Sequence, residues 1–580
     1  MANIESKNRI RSLFQFGLVI ATLILVNLVA NSRIGGRAFY GSWDLTEDKR
    51  FTLTDNTKQQ LDELEEVVFI RVLLSGELPA AYQRLQNSVR DLLEDFRGRS
   101  TQIEYEFSDP LVGDEESIKE RQRILAEEEG IVPIPIYEQT ASQREVKVVY
   151  PFALVYYGNR REVVNLLENE TPGIPRDIVL NKANALLEYK FSRAIDRVVN
   201  DDRPLLAFTT GHGELPPIRT ADLERTLREQ YQVGRLNLDS VALIPQEVNL
   251  LMIAKPTQPF SQKDAFKLDQ YIMNGGKVLW SMDAIGMHLD SMRTRNEFYP
   301  APYDLGSLTD LFFRYGFRIN EDLVQDLVNT RIPIAVSRVN GQPAIEKFPF
   351  PYHVLSLPNG PHPVIKNLDP IDLRFASSLD LSVEAPGDIG KTVLLTASDR
   401  ARFQRFPSAI DLDMAKYKLE LDRFNKPGLP IAALLEGTFT SPYANRMSAE
   451  NLEVLREMGQ EYRSTSIPNR MIIVSDGDWL VNSVTTNGEV RPLGYNTYEG
   501  YQYDNKTLAL NMIEYLLDDQ GVITARGKEV KLRMLNRDAA AAEAGFWRFL
   551  NIGFPLVFLA LFGLLYNYLR RRKYARQVED

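Results

Sequence analysis

Two long apolar runs, one near each end of the chain, constrain its architecture more than any other feature. Residues 13–30 read LFQFGLVIATLILVNLVA without a charge, and residues 546–569 read FWRFLNIGFPLVFLALFGLLYNYL with Arg548 as the sole charge. A helix needs about 20 apolar residues to cross roughly 30 Å of hydrocarbon. Transmembrane helices are therefore expected over 12–31 and 546–569. Lys7, Arg9 and Arg11 precede the first run; Arg570, Arg571, Arg572, Lys573 and Arg576 follow the second. Cytoplasmic flanks carry the excess of Lys and Arg. That rule puts residues 1–11 and the basic tail 570–580 in the cytoplasm and everything between the helices in the periplasm, on the outer side of the inner (cytoplasmic) membrane. The basic tail also suits anionic membrane lipid. A cleaved signal peptide is the alternative for the first run, but the run is long for one and lacks a clean Ala-x-Ala site. A buried core helix is the alternative for the second.

Between these runs, 580 residues overall leave room for two or three folded cores. The net charge of −10, from 68 basic and 78 acidic residues, argues against nucleic acid as a partner, because phosphate binding needs concentrated basic surface. No cysteine is present, which removes thiolate nucleophiles, disulfides, zinc–thiolate sites and iron–sulfur clusters. Four histidines (His212, His288, His353, His362) speak against a multi-histidine metal centre. No cofactor and no metal site is expected.

Periodicity predicts an α/β body. Thr54 or Asp55 is placed to cap a helix beginning near Asn56. Alternation over 67–76, helical spacing at Leu85, Val89, Leu92, Leu93 and Phe96, and alternation over 101–107 make a βαβ unit. The acidic segment 114–130 is expected as a solvated helix, and VKVVYPFALVYYGNRREVVNLL as a hairpin closing this first periplasmic α/β domain, residues 33–200. Lys182, Lys190 and Arg193 are assigned to a solvated face of the helix over 181–199. A second unit, 201–520, opens with PLLAFTT and alternates buried strands (VNLLMIAK, KVLWSMD, RMIIVSD) with amphipathic helices, as in a doubly wound, largely parallel sheet. Residues 330–445 are expected as a β-rich insertion, and 521–545 as a stalk to the membrane.

Open α/β sheets bind ligands at the carboxyl ends of their strands. Gly211, His212, Gly213 and Glu214 follow the first strand of this unit. Glycines there permit close backbone approach, and His212 with Glu214 offers an acid and a base. A tight strand-to-helix turn with a hydrogen-bonded histidine is the simpler reading. Asp283, Asp476 and Asp478 sit at other strand ends and are placed to converge with His212, either as a cluster for a cation or sugar hydroxyls or as ordinary loop caps. Ser281 and Ser475 lack the Gly-x-Ser-x-Gly elbow of a hydrolase. APGDIGKT (385–392) imitates a phosphate loop, but the segment after it, TVLLTAS, reads as a strand, whereas a phosphate loop needs a helix whose amides face the phosphates.

Taken together, DLTEDKRFTLTDNTKQQL, TGHGE, DQYIMNGGKVLWSMD, LLEGTFTSPYANR and SDGDWLVNS resemble the GldG family, the gliding-motility-associated ABC transporter auxiliary proteins, over nearly the whole chain. The resemblance implies a non-enzymatic subunit working with an ABC permease and a cytoplasmic ATPase of GldF and GldA type. It also implies that the central unit is GIFT-like, similar to a domain of intraflagellar transport proteins, and that an envelope or carbohydrate ligand is a candidate. The alternative is a membrane-tethered carbohydrate-binding or hydrolytic protein using His212, Glu214 and Asp283.

Overall fold

The computed structural model describes residues 16–18, 20–22, 25, 33–34, 37–38, 52–139, 144–167, 176–200, 203–287, 289, 292, 298–339, 342–410, 412, 420–444, 446–457, 461–518, 521–527 and 542–575. It contains two compact units, residues 1–529 and 530–580.

In the larger unit, Thr54 caps helix α1 (Asp55–Asp62) by accepting from the Thr57 amide, as its position predicts. The same hydroxyl donates to Glu188 at 2.9 Å. Thr54→Ala removes a cap and a cross-link together, and we expect a loss of about 1–2 kcal/mol, read by urea denaturation. Strand β1 (Val68–Val72), helix α2 (Ala80–Arg99) and strand β2 (Ile103–Phe107) form the expected parallel βαβ unit. Helix α2 buries Tyr82, Leu85, Val89, Leu93 and Phe96, one stripe at helical spacing. Helix α3 (Glu115–Glu127) buries Leu125 alone and is otherwise solvated. Strands β3 (Ile134–Gln139) and β4 (Arg144–Val149) pair as a separate hairpin. Strands β5 (Phe152–Tyr157) and β6 (Arg160–Asn165) complete a four-stranded sheet in the order β2-β1-β5-β6.

Helix α4 (Arg176–Val199) packs on this sheet, and its polar residues correct one expectation. Lys182, Lys190 and Arg193 are not on a free solvated face. Lys182 pairs with Asp369 at 2.5 Å, Lys190 donates to the Leu167 carbonyl, and Arg193 bonds Glu514 at 3.2 Å and Gln230 at 2.8 Å. Burial opposes the Arg193 charge, but Glu514, Tyr189, Tyr231 and Glu162 together outweigh it and raise its pKa.

The central sheet is built from β7 (Leu205–Thr210), α5 (Pro217–Arg228), β8 (Gln232–Asn237), β9 (Val248–Ala254), α6 (Gln262–Met273) and β10 (Lys277–Ser281). Helix α7 (Leu308–Arg314) follows. Then come strands β11 (Asp322–Asp326), β12 (Asn329–Val339), β13 (Gln342–Ser356), β14 (Ile371–Arg374), β15 (Ile389–Thr396), β16 (Ala401–Arg405) and β17 (Pro430–Gly437). Helix α8 (Ala449–Glu457), strand β18 (Asn469–Val474) and helix α9 (Asn505–Leu517) close the unit. Seven strands pair in the order β8-β7-β9-β10-β18-β17-β15. The first five are mutually parallel, β17 runs antiparallel to β18, and β15 runs antiparallel to β17. Helices cover both faces: Leu268, Ile272, Leu311 and Phe312 pack in one core, Leu223, Leu227, Leu508 and Met512 in the other.

Residues 330–445 are thus not wholly an insertion. Strands β12, β13 and β14 form a separate sheet, but β15 and β17 extend the central one. Their apolar runs record burial and do not record which sheet they join. Lys391 and Thr392 of the phosphate-loop imitation lie inside β15, and the Lys391 ammonium is engaged by the Leu381 and Val383 carbonyls. Val522–Gly527, within the segment read as a stalk, is a 3₁₀ turn whose Ile523 and Ala525 pack on Tyr189.

In the smaller unit, residues Ala544–Arg572 form a helix long and apolar enough to cross a membrane, the one such helix among the described residues. Its Phe, Leu and Tyr side chains are exposed throughout. Most of the expected span 12–31 lies outside the described residues; Phe16–Leu18, Ile20–Thr22 and Leu25 are helical.

Candidate functional site

The topological switch of the central sheet lies at β7, whose neighbours β8 and β9 are reached in opposite directions. The GHGE turn follows it directly. Gly211 (φ +116°) and Gly213 (φ +74°) occupy backbone regions that side chains rarely enter. A Cβ at Gly213 would meet Thr257 Oγ1 at 2.2 Å, and one at Gly211 would meet Asn237 Oδ1 at 2.9 Å. The turn is held closed by the Thr257 and Gln258 amides, both donating to the His212 carbonyl at 2.9 Å. Glu214 Oε2 accepts from the His212 amide at 2.7 Å. The His212 ring is buried, stacked on Phe260 at 3.8 Å, with Nε2 3.4 Å from Asp264 Oδ2.

A second group gathers the strand-end carboxylates. Lys255, directly after β9, is buried with φ +53°. Its ammonium lies 2.5 Å from Asp478 and 3.1 Å from Asp283. Asp283 also accepts from the Gly477 amide. Asp476 accepts from the Arg374 amide at 2.7 Å and the Asp478 amide at 2.6 Å. Burial disfavours the Lys255 charge, but Asp283 and Asp478 outweigh it, so lysine stays protonated above its ordinary range. Burial pushes the Asp283 carboxyl up to about 6, against the pull of Lys255. Burial, with Asp283 and Asp478 nearby, raises Asp476 well above the ordinary carboxylate range. Both acidic side chains are spent on holding the strand ends together.

A cleft of about 590 Å³ opens over these ends, lined by Glu214, Arg219, Lys255, His353, Arg374 and Asp478 among others. Phe375, also in its wall, is a second non-glycine residue at positive φ, +58°. Strained backbone of this kind persists where surrounding structure over-determines it, and clusters at functional sites. Arg374 is fixed by Asp372 through Nη2 at 2.8 Å and Nε at 3.2 Å. Burial, reinforced by Arg374, lowers the His353 pKa to about 3, so its imidazole is neutral at physiological pH. A larger cleft of about 780 Å³ beside α4 has its principal cations paired, Arg193 with Glu514 and Arg197 with Glu162.

Of the seven residues singled out in the sequence, Gly213, Glu214 and Asp478 line the cleft. Asp283 and Asp476 are buried supports, while Gly211 and His212 turn toward Asn237 and α6. Asp283 and Asp478 therefore converge on Lys255 and not on His212, while Asp476 holds the Arg374 and Asp478 amides. A hydrolytic relay of His212, Glu214 and Asp283 is not assembled: Asp283 bonds Lys255 and Gly477, and His212 faces Glu214 and Asp264. Lys255, His353 and Arg374 were missed. Only Lys255 left a trace, a lysine closing the apolar strand VNLLMIAK.

Comparison with known proteins places this architecture. Residues 47–156 match a domain of unknown function (DUF7088). An uncharacterized protein of Borreliella burgdorferi (strain ATCC 35210 / DSM 4680 / CIP 102532 / B31) is 21% identical over 421 residues, 71% of this chain and 76% of its own. A solved structure, the mmIFT52 N-terminal domain, aligns over 54% of this chain and 96% of its own at 14% identity and TM-score 0.29, too low to establish a shared fold. Residues 203–512, more than half of the chain and the whole of the central sheet with its cleft, match the model of the ABC-type uncharacterized transport system auxiliary family (ABC_transp_aux), and the chain belongs to that family.

Proposed function

We propose that the protein is a non-catalytic, membrane-anchored extracytoplasmic subunit of an ABC transporter complex serving gliding motility or surface export, with a permease and an ATPase of GldF and GldA type as partners. The family supports association with a transporter complex, and the apolar helix Ala544–Arg572 supports membrane association. The basic residues after that helix and before the first apolar run favour both termini in the cytoplasm.

One observation supports a role for the outer body in receiving a substrate: the cleft at the carboxyl ends of the parallel strands, its wall held by two strained non-glycine residues and a buried Lys255–carboxylate knot. Such preorganisation suits a binding surface whose polar groups must not collapse onto one another. ATP hydrolysis is assigned to the partner, since the phosphate-loop imitation is a strand.

Purification of the full chain in mild detergent is expected to bring down a permease and an ATPase in fixed ratio. Recovery of the chain without either, under conditions where the permease itself survives, overturns the proposal.

A further inference from the structure

The His212 ring poses a charge problem that its protein partners leave unsolved. Nδ1 lies 3.9 Å from Glu214 Oε1, and Nε2 lies 3.4 Å from Asp264 Oδ2. Good N–H···O bonds run about 2.7–3.2 Å, so the Nε2 contact is a long hydrogen bond and the Nδ1 contact is none. His212 Nδ1 and Glu214 Oε1 are both buried with no hydrogen-bond partner, in side chains 5% and 2% exposed. A neutral imidazole carries one N–H and one lone pair. Whichever nitrogen holds the proton, the other presents its lone pair to a carboxylate. Stacking on Phe260, at an interplanar angle of 3°, prevents the ring from turning away.

A third carboxylate, Asp239, completes the cluster: one donor atom each of His212, Asp239 and Asp264 lie within 4.8 Å of one another. The three come from the turn after β7, the turn after β8 and the first turn of α6. Among the described residues, the ammonium bound to this cluster is that of Lys267, which binds Asp264 Oδ1 at 2.9 Å and the Leu238 carbonyl at 2.6 Å. The Ser261 hydroxyl touches Asp264 Oδ2 at 2.5 Å and leaves that oxygen a lone pair free.

We propose that His212 Nε2, Asp239 and Asp264 bind a divalent cation, Zn²⁺ or Mn²⁺ by donor class, with Glu214 accepting from Nδ1–H to orient the ring. One imidazole and two carboxylates form a donor set for these ions. A histidine ligand whose other nitrogen faces a carboxylate is the usual outer-shell arrangement. The cation removes the lone-pair conflict on the Asp264 side and fixes the tautomer on the Glu214 side. Three protein donors leave coordination positions for water or a ligand beside the switch point. This site is independent of the proposed transport role.

The test uses the full chain in detergent, without a polyhistidine tag, dialysed against Zn²⁺ or Mn²⁺ alone and analysed for metal content, with Mn²⁺ also read by electron paramagnetic resonance. One ion per chain is expected. Asp239 is exposed, so Asp239→Asn leaves the core untouched; it should melt like the parent in metal-free buffer and bind at least tenfold more weakly. Glu214→Gln should lower affinity by about 10–100-fold as an outer-shell change, and His212→Gln should abolish binding. No retained ion in the parent chain overturns the proposal. Binding unchanged by Asp239→Asn and His212→Gln overturns it equally.

Discussion

Lys255→Met is expected to destabilise the larger unit by about 3–5 kcal/mol, the cost of leaving one side of a buried ion pair uncompensated. The lysine is 3% exposed and lies between Asp283, 1% exposed, and Asp478. Methionine retains the stem that fills the space over Gly477, where a Cβ would come within 2.6 Å of Lys255 Cγ. What it removes is the charge. Asp283 then keeps the Gly477 amide as its remaining donor among the described residues. Asp478 sits at the cleft, with its side chain 18% exposed, and can recover water. The penalty therefore concentrates on Asp283, and Asp283→Asn in the Met background should restore most of the stability. Urea denaturation of the full chain, followed by fluorescence of the buried Trp280 and Trp479, measures both steps. A loss below about 1 kcal/mol, the range of an exposed pair, would show that this knot is solvated and that the cleft floor is not preorganised.

That knot marks the limit of what the sequence discloses. Helix α2 was legible because Leu85, Val89, Leu92, Leu93 and Phe96 fall at helical spacing, and a cap at Thr54 or Asp55 because an oxygen acceptor is required where the helix begins. The parallel β1/β2 pair followed from two short alternating runs separated by one helix. The GHGE turn was legible because only glycine tolerates the φ values at Gly211 and Gly213. Sheet membership was not. Strands β15 and β17 carry apolar runs like any buried strand, and their joining to β18 is decided by tertiary pairing. Long-range charge pairing was equally hidden: Lys182–Asp369 joins residues 187 positions apart, and Arg193–Glu514 residues farther apart still. Lys255 ends the run VNLLMIAK, expected as a buried strand, and nothing in that run names Asp283 and Asp478 as its partners. The sequence announces which side chains stand at strand ends; only the folded sheet says which of them meet.

The same logic gives a pH dependence at a carboxyl with no cation. Asp269, on α6, is wholly buried and accepts from Tyr315 Oη at 2.9 Å, Ser441 Oγ at 2.7 Å and Gln270 Nε2 at 2.9 Å. Three donors favour the ionised form, yet burial outweighs them and pushes its pKa from 3.8 to about 6. In the unfolded chain the group releases its proton near its ordinary value; in the folded chain it holds the proton to about 6. Between those values the native state binds more protons, so this contribution to stability falls as pH rises. The loss is complete above about pH 6 and amounts to about 3 kcal/mol at 1.36 kcal/mol for each pH interval between the two pKa values. Asp222 and Asp264, whose pKa values are lowered in the fold, contribute with the opposite sign, so whole-chain stability mixes the two. The difference between parent and Asp269→Asn isolates the term. The carboxamide does not titrate, and its mismatch with Gln270 is a constant offset. Between pH 4 and pH 7 the Asn variant should gain about 2.4 kcal/mol relative to the parent, part of the full span lying below pH 4, measured by denaturation at each pH. A difference that stays flat across that interval would mean that Tyr315, Ser441 and Gln270 already offset the full cost of burying the charge.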